Sequence, residues 1–369
     1  MSYPHVRIGE ILDLKYGKSL PSNIRSGAGY KVYGSNGMTG LHEIAITSAP
    51  AIIVGRKGSI GEIHYSEKPC WPIDTTYYVD SFGDSVAPRW LYHRLQNLNL
   101  KALNKAVAIP GLNRNDVYQL EIPLPPLEEQ RRISAILDRA GNLGQHAKGQ
   151  LFIAKNLLAS LFVETIGDPL NPPHDWTTLP LAEAVQAGTD VTYGIVQAGE
   201  EYPGGVPYIR TGDIVDGEID VSALRHTNPA IARRFTRSMV RAGEIVMSIR
   251  ATVGTTAVIP VCLDGANLTQ GTARVAPGEN VNGVYLLQYL RMPSTQAWIQ
   301  RQVKGATFRE ITLARLRELP VLIPPMAIQD EFAVKAKIAN SVIGSSKVLL
   351  SRIENLSQSL CNQLLGRKY

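Results

Sequence analysis

The sequence predicts a mixed α/β protein built twice over, in the order globular domain, long helix, globular domain, long helix. Three observations carry that reading. First, Leu120-Glu121-Ile122-Pro123-Leu124-Pro125-Pro126-Leu127 with Gln130 recurs as Leu319-Pro320-Val321-Leu322-Ile323-Pro324-Pro325-Met326 with Gln329, at an offset of 199 residues that persists to Gly167 and Gly366. A fixed offset over so long a stretch is the mark of an internal repeat. Second, each Pro-Pro pair opens a proline-free stretch, Leu127 to Ile166 and Met326 to Leu365. Third, the remaining sequence consists of short apolar or β-branched runs broken by Gly, Pro, Asn and Ser, the pattern of strands in an irregular mixed domain.

In chain order, the first domain is expected over residues 1–125, the first long helix over 126–167, the second domain over 168–325 and the second long helix over 326–369. Strands are expected at Ala51 to Val54, Tyr77 to Val79 and Gly243 to Ile249, and one amphipathic helix per copy near Arg89 to Leu100 and near Val284 to Leu290. The fronts of the two copies correspond loosely. Ile8-Gly9-Glu10-Ile11-Leu12 matches Leu181-Ala182-Glu183-Ala184-Val185, and Ile52 to Arg56 matches Ile245 to Arg250, which pairs Arg56 with Arg250. The second copy carries roughly 20 more residues in its front part.

Proline suits the start of a helix and glycine its end, where Gly167 and Gly366 supply left-handed caps. Glu128 and Glu129 favour the helix dipole in the first turn. Each helix reaches about 60 Å. Leu137, Leu151, Leu158 and Leu161 on the first helix, and Ile343, Leu350, Ile353 and Leu360 on the second, fall at alternating three- and four-residue steps, a seam that wants a partner helix. The plainer alternative is that each helix packs on its own domain. Gly141, Gly144 and Gly149 weaken the first helix by roughly 1 kcal/mol each relative to alanine and mark a place for a bend.

The chain has 369 residues, 44% of them hydrophobic, which suffices for two cores. Lys and Arg number 38 against 32 Asp and Glu, a net charge of +6 that is compatible with a polyanionic partner without establishing one. Cys70, Cys262 and Cys361 are scattered, which disfavours a disulfide framework or zinc site and fits a reducing cytoplasm. There is no run of roughly 20 apolar residues to cross a bilayer and no apolar leader, so neither export nor a membrane location is expected.

No catalytic or metal site is expected. Asn171-Pro172-Pro173-His174 invites comparison with the loop in which adenine methyltransferases stack an aromatic ring on a flipped base, but the fourth residue is His and the context is that of a linker. Gly55-Arg56-Lys57-Gly58-Ser59 lacks the spacing of a phosphate-cradling P-loop, and the seven histidines are dispersed. No cofactor is expected on this chain.

Ile122-Pro123-Leu124-Pro125-Pro126-Leu127-Glu128-Glu129-Gln130-Arg131-Arg132-Ile133 resembles the signature of specificity subunits of type I restriction-modification systems. So do Gly167-Asp168-Pro169 with Trp176, Tyr208-Ile209-Arg210-Thr211-Gly212-Asp213, and Gly305-Ala306-Thr307 before Ile311. The second copy departs from the pattern at Ala327-Ile328-Gln329, where an acid usually precedes the glutamine. The resemblance implies two target-recognition domains, each reading half of a bipartite DNA site, and long helices pairing as an antiparallel coiled coil about a pseudo-twofold axis. It also implies docking of two methyltransferase subunits that carry S-adenosylmethionine, with a restriction subunit able to join. The other readings are a free-standing DNA-binding or architectural protein, an interaction scaffold without a DNA role, and a self-contained methyltransferase, the last disfavoured by the missing donor motif.

Lys and Arg grip phosphates, while Arg, Lys, Asn, Gln, Ser and Thr on loops read base edges. On that chemistry the DNA-contact candidates are Lys31, Ser35, Asn36, Arg56, Lys57 and Lys105 in the first domain. In the second they are Arg210, Thr211, Arg225, Arg233, Arg250, Gln270, Lys304 and Arg309.

Overall fold

The computed structural model describes residues 3–103, 111–172, 175–305 and 309–366. Lys105, the Ala306-Thr307 pair and the Pro173-His174 end of the Asn-Pro-Pro motif lie outside them. The chain forms two compact units, Met1–Gly149 with Val348–Tyr369, and Gln150–Lys347. The boundaries therefore fall inside both long helices, and each unit takes a segment of each.

In the first unit, an antiparallel sheet has the order Lys15–Tyr16, Thr76–Val79, Ala51–Gly55, Ile63–Ser66. A second sheet sets Tyr30–Gly34 between Gly37–His42 and the parallel strand Trp71–Pro72. A third pair joins His5–Arg7 to Glu121–Pro123, just ahead of the long helix. The central strand Ala51–Gly55 is buried on both faces, which accounts for its uninterrupted apolar run. The helix Pro88–Asn97 lays Trp90, Leu91 and Leu95 onto this core.

The second unit repeats the plan. Its sheets are Thr192–Tyr193, Thr272–Val275, Ile245–Ser248, Thr256–Val258; Arg225–Thr227, Val206–Ile209 and parallel Asn267–Leu268; and Thr177–Pro180 with Pro320–Ile323. The helix Gly283–Arg291 stands where Pro88–Asn97 stands in the first unit. Part of the extra length is a hairpin, Ile214–Val215 with Glu218–Ile219, whose Glu218 receives Lys347 at 2.6 Å.

The long helices run Leu127–Ile166 and Met326–Leu365. The first is uninterrupted through Gly141, Gly144 and Gly149, so the expected bend does not break it. Gly167 and Gly366 take φ of +92° and +81°, the left-handed caps that only glycine adopts without strain. In the first unit, Ile133 and Leu137 share a core with Leu365, and Lys148 pairs with Glu354 at 3.2 Å, so these two segments run antiparallel. In the second unit, Phe162 meets the Phe332 ring edge-on at 5.1 Å and stacks on Tyr285 at 5.7 Å. Among the described residues, no helix is long and apolar enough to cross a membrane.

Candidate nucleic-acid interface

In the first unit the strand Ala51–Gly55 ends in a loop that Gly61 closes by donating to the Gly55 carbonyl at 2.9 Å. One acceptor gathers the neighbourhood. The Thr75 carbonyl accepts from Arg56 N at 2.9 Å, Lys57 N at 3.1 Å and the Ser35 hydroxyl at 2.7 Å. The loops Gly34–Gly37 and Lys57–Ser59 are thereby pinned side by side around an open cavity of about 330 Å³. Asn36 and Lys57 are exposed on its wall, whereas Ser35 is buried with its hydroxyl engaged. Arg56 donates through Nη2 to the Asp74 carbonyl at 2.7 Å and lies over the rings of Tyr16 and Tyr77. Burial, reinforced by Tyr16, pushes the Tyr77 hydroxyl up to about 12. Lys31 lines a different cavity, with Tyr30, Glu67 and Lys68, and does not join this group.

The second unit builds the same scaffold from other side chains. Gly254 N donates to the Ser248 carbonyl at 2.9 Å, and the Gly271 carbonyl accepts from Ile249 N at 2.8 Å and from the Thr211 hydroxyl at 3.2 Å. Leu112 N on the Arg56 carbonyl, at 2.9 Å, recurs as Ile311 N on the Ile249 carbonyl, at 3.0 Å. These bonds set the register of the repeat: Ser35 corresponds to Thr211, Gly55 to Ser248, Arg56 to Ile249 and Lys57 to Arg250. The sequence match of Arg56 with Arg250 is therefore one residue out of step.

Arg250 meets Glu310 at 2.9 Å, Glu310 forms reciprocal backbone hydrogen bonds with Lys304, and Arg309 donates to Gln300 at 2.6 Å while its carbonyl accepts from Ala251 N. Three candidates, Arg250, Lys304 and Arg309, thus lie in adjoining segments, with Arg250 alone on the Glu310 carboxylate and the other two brought close by backbone hydrogen bonds. Thr211 and Gln270 adjoin them through Gly271. The Arg250–Glu310 pair is nearly half exposed on both sides and contributes no more than about 1 kcal/mol, so Arg250 can leave this partner at little cost. Arg210 is otherwise engaged. It grips the buried Asp213 at 2.6 and 3.0 Å and donates to the Ala223 carbonyl, and the Asp213 hydrogen bond raises its pKa further. Arg233 donates to the Pro229 carbonyl, and Arg225 is exposed on an edge strand; neither reaches the Glu310 group.

The profile of the family described as type I restriction modification DNA specificity domain matches two stretches, residues 3–151 and 173–337. The chain belongs to that family. This specificity subunit recognises DNA sequence within a type I restriction-modification system. It is 24% identical over 340 residues to the type I restriction enzyme EcoBI specificity subunit of Escherichia coli, covering 84% of this chain and 71% of that one. It is 22% identical over 347 residues to the MjaVIII specificity subunit of Methanocaldococcus jannaschii, covering 88% and 80%. The fold is also that of the S subunit from M. genitalium, at a TM-score of 0.65 and 15% identity over 99% of this chain and 96% of that chain. A further solved chain from a type I system aligns at a TM-score of 0.56 and 18% identity, covering 99% and 97%.

On the long helices of the specificity subunit, Leu137 and Leu158 are buried, while Leu151, Leu161, Ile343, Leu350, Ile353 and Leu360 are half-buried. The opposite faces carry exposed apolar side chains, among them Phe152, Ile153 and Leu157 on the first helix and Val334, Ile338 and Val342 on the second. Sequence reasoning missed two features. Gln130 and Gln329 organise the helix starts, a role their place in the repeat could have signalled. Arg114, beside Tyr16, is brought to the DNA-candidate loops only by tertiary structure.

Proposed function

We propose that each unit of this specificity subunit reads one half of a bipartite target. The long helices dock two methyltransferase subunits, which carry S-adenosylmethionine, and a restriction subunit joins through them. The chain itself performs no catalysis and acts on DNA in the cytoplasm. The observation that supports this reading is the duplicated loop scaffold on Thr75 and Gly271, which is equipped differently in its two copies. One presents Asn36 and Lys57, the other Gln270, Arg250, Lys304 and Arg309. One backbone frame with two sets of polar side chains suits two different half-sites, since base edges are told apart by donor and acceptor pattern.

The test is a binding selection from randomised duplexes, using the chain assembled with its methyltransferase subunits. Lys57→Ala relaxes one half-site and Arg250→Ala the other, each by roughly 1 to 3 kcal/mol where the side chain touches a base. Equal damage to both halves by either variant rules out two independent readers.

A further inference from the structure

The ring of Tyr16 has two guanidiniums beside it, those of Arg56 and Arg114, each 5.3 Å from its centroid. Tyr16 itself is 51% exposed and is steadied by an edge-on contact with Tyr77 at 5.0 Å. Its strand cannot shift easily, because the next residue, Gly17, runs so close to the Ile73 carbonyl that a Cβ there would stand 2.1 Å from the oxygen. Neither arginine forms an ion pair with a carboxylate among the described residues, and the stretches outside them contain no Asp or Glu. Arg56 Nε is buried and has no hydrogen-bond partner among the described residues. Like charges gathered on one ring, with donors to spare and no acid to balance them, are held ready for an anion.

The second unit shows what this arrangement is not needed for. Tyr193-Gly194 occupies the place of Tyr16-Gly17, with the same close approach, 2.0 Å from a Cβ on Gly194 to the Leu268 carbonyl. Yet Arg56 is replaced there by Ile249, which is buried, and Arg114 by Leu313, the residue after the Thr312 cap as Arg114 follows the Asn113 cap. Leu313 packs on that unit's core. The fold thus forms with two aliphatic side chains at these places, so the two cations of the first unit are not a structural requirement of the scaffold.

We propose that Arg56 and Arg114, gathered on Tyr16, form a clamp for a phosphodiester of the DNA backbone, present in the first unit alone. This rests on the DNA-recognition reading above and adds to it a sequence-independent anchor. A phosphate contact fixes position and affinity and carries no base information, and its loss shows in the salt dependence of binding. The clamp lies next to Lys57 in the chain, so it sets where the first unit's reading loop sits on the duplex.

The experiment measures equilibrium binding of the full chain, assembled with its methyltransferase subunits, to a duplex carrying its selected site and to an unrelated duplex, between 50 and 200 mM salt as in ordinary titrations. Arg114→Ala is expected to lower the slope of log K against log salt by about 1, to weaken both duplexes by a similar factor, and to leave the selected sequence unchanged. Arg56→Ala gives the same pattern, and Tyr16→Phe, which keeps the ring, keeps the slope. Leu313→Ala, at the matching place in the second unit, leaves the slope untouched. Should Arg56→Ala fail to fold, Arg114→Ala decides the matter. An unchanged slope in Arg114→Ala, or an altered base preference at one half-site, overturns the clamp. A wild-type assembly that binds its selected site with the variants' slope unaltered leaves the two-reader proposal standing, whereas a wild type without preference for any duplex overturns both.

Discussion

Gln130 and Gln329, at the repeat offset of 199, make the same three hydrogen bonds. Gln130 Oε1 accepts from Ala87 N at 2.8 Å, and its Nε2 donates to the carbonyls of Ser85 and Pro125 at 2.9 and 2.8 Å. Gln329 Oε1 accepts from Asn282 N at 2.9 Å, and its Nε2 donates to the carbonyls of Asn280 and Pro324 at 3.1 and 2.7 Å. Both side chains are fully buried. Each ties the start of a long helix to the start of the short helix of the same unit, using backbone groups that a helix terminus would otherwise leave unpaired. The second copy lacks the acid before its glutamine, and these bonds are unaffected.

Replacing either glutamine by leucine strands one N–H and two carbonyls in a dry site. Gln130→Leu and Gln329→Leu are each expected to cost about 2–4 kcal/mol, read as a lowered midpoint in denaturant titration. If either midpoint stayed within error of wild type, water would have to be satisfying those groups and the tie would be dispensable.

The two faces of the long helices should respond differently to charge. Leu158→Asp puts a carboxylate into the second unit's core and is expected to destabilise by several kcal/mol. Ile153→Asp and Ile338→Asp alter side chains that are 66% exposed, so they should leave the melting temperature nearly unchanged and weaken methyltransferase association instead. Pull-down of the methyltransferase at wild-type strength by both of the exposed-face variants would move the docking surface elsewhere.

His93 gives the first unit a pH dependence. Burial holds its pKa below the usual 6.5, against the opposing pull of Asp138, whose Oδ1 lies 2.7 Å from Nε2. A depressed folded-state pKa means that the unfolded chain takes up the proton first. This contribution is therefore complete above about pH 6.5 and is lost as the pH falls below it toward the folded value. Thermal melts from pH 8 to pH 5.5 should show that loss, and His93→Gln should flatten it. An identical profile in the variant would assign the acid sensitivity to other groups.

Arg274 and Glu244 form a nearly buried pair in the second unit, bonded at 2.7 Å through Nε and more closely through Nη2, and Glu244 also accepts from Arg241 N. Arg274→Met leaves the carboxylate without its counter-charge and is expected to cost about 3–5 kcal/mol, while Arg274→Met with Glu244→Leu recovers most of it. Calorimetry on the single and double variants separates the two; no recovery in the double variant would mean that the arginine acts by packing rather than by charge.

The features that the sequence revealed are those written in local chemistry. The long helices begin at the Pro-Pro pairs and end at Gly167 and Gly366, because a missing N–H and a positive φ are properties of single residues. The strand Ala51–Gly55 was legible as an apolar run for the same reason. The candidate interface was less so. That Arg56 aligns with Ile249 depends on hydrogen bonds to Thr75, Gly271, Leu112 and Ile311, partners that lie far away in the chain. The commitment of Arg210 to Asp213, and of the Ser35 hydroxyl to Thr75, likewise depends on how loops fold back, and a polar residue in a loop looks the same whether its side chain is spent or free. The gathering of Arg250, Lys304 and Arg309 about Glu310 joins segments that no sequence period connects.

The first unit combines residues from both extremes of the chain: Arg94 donates to the Leu365 carbonyl, and Asn97 to that of Gly366 at 2.9 Å. The ribosome delivers these partners about 270 residues apart, at roughly 5–20 residues per second, so the early strands wait tens of seconds for their final turn of helix. The second unit, continuous from Gln150 to Lys347, has all its residues in hand before the first does. The first unit is thus the last to be sealed, and a nascent chain halted before Leu365 presents the apolar flank around Leu137 uncovered to whatever chaperone or protease meets it first.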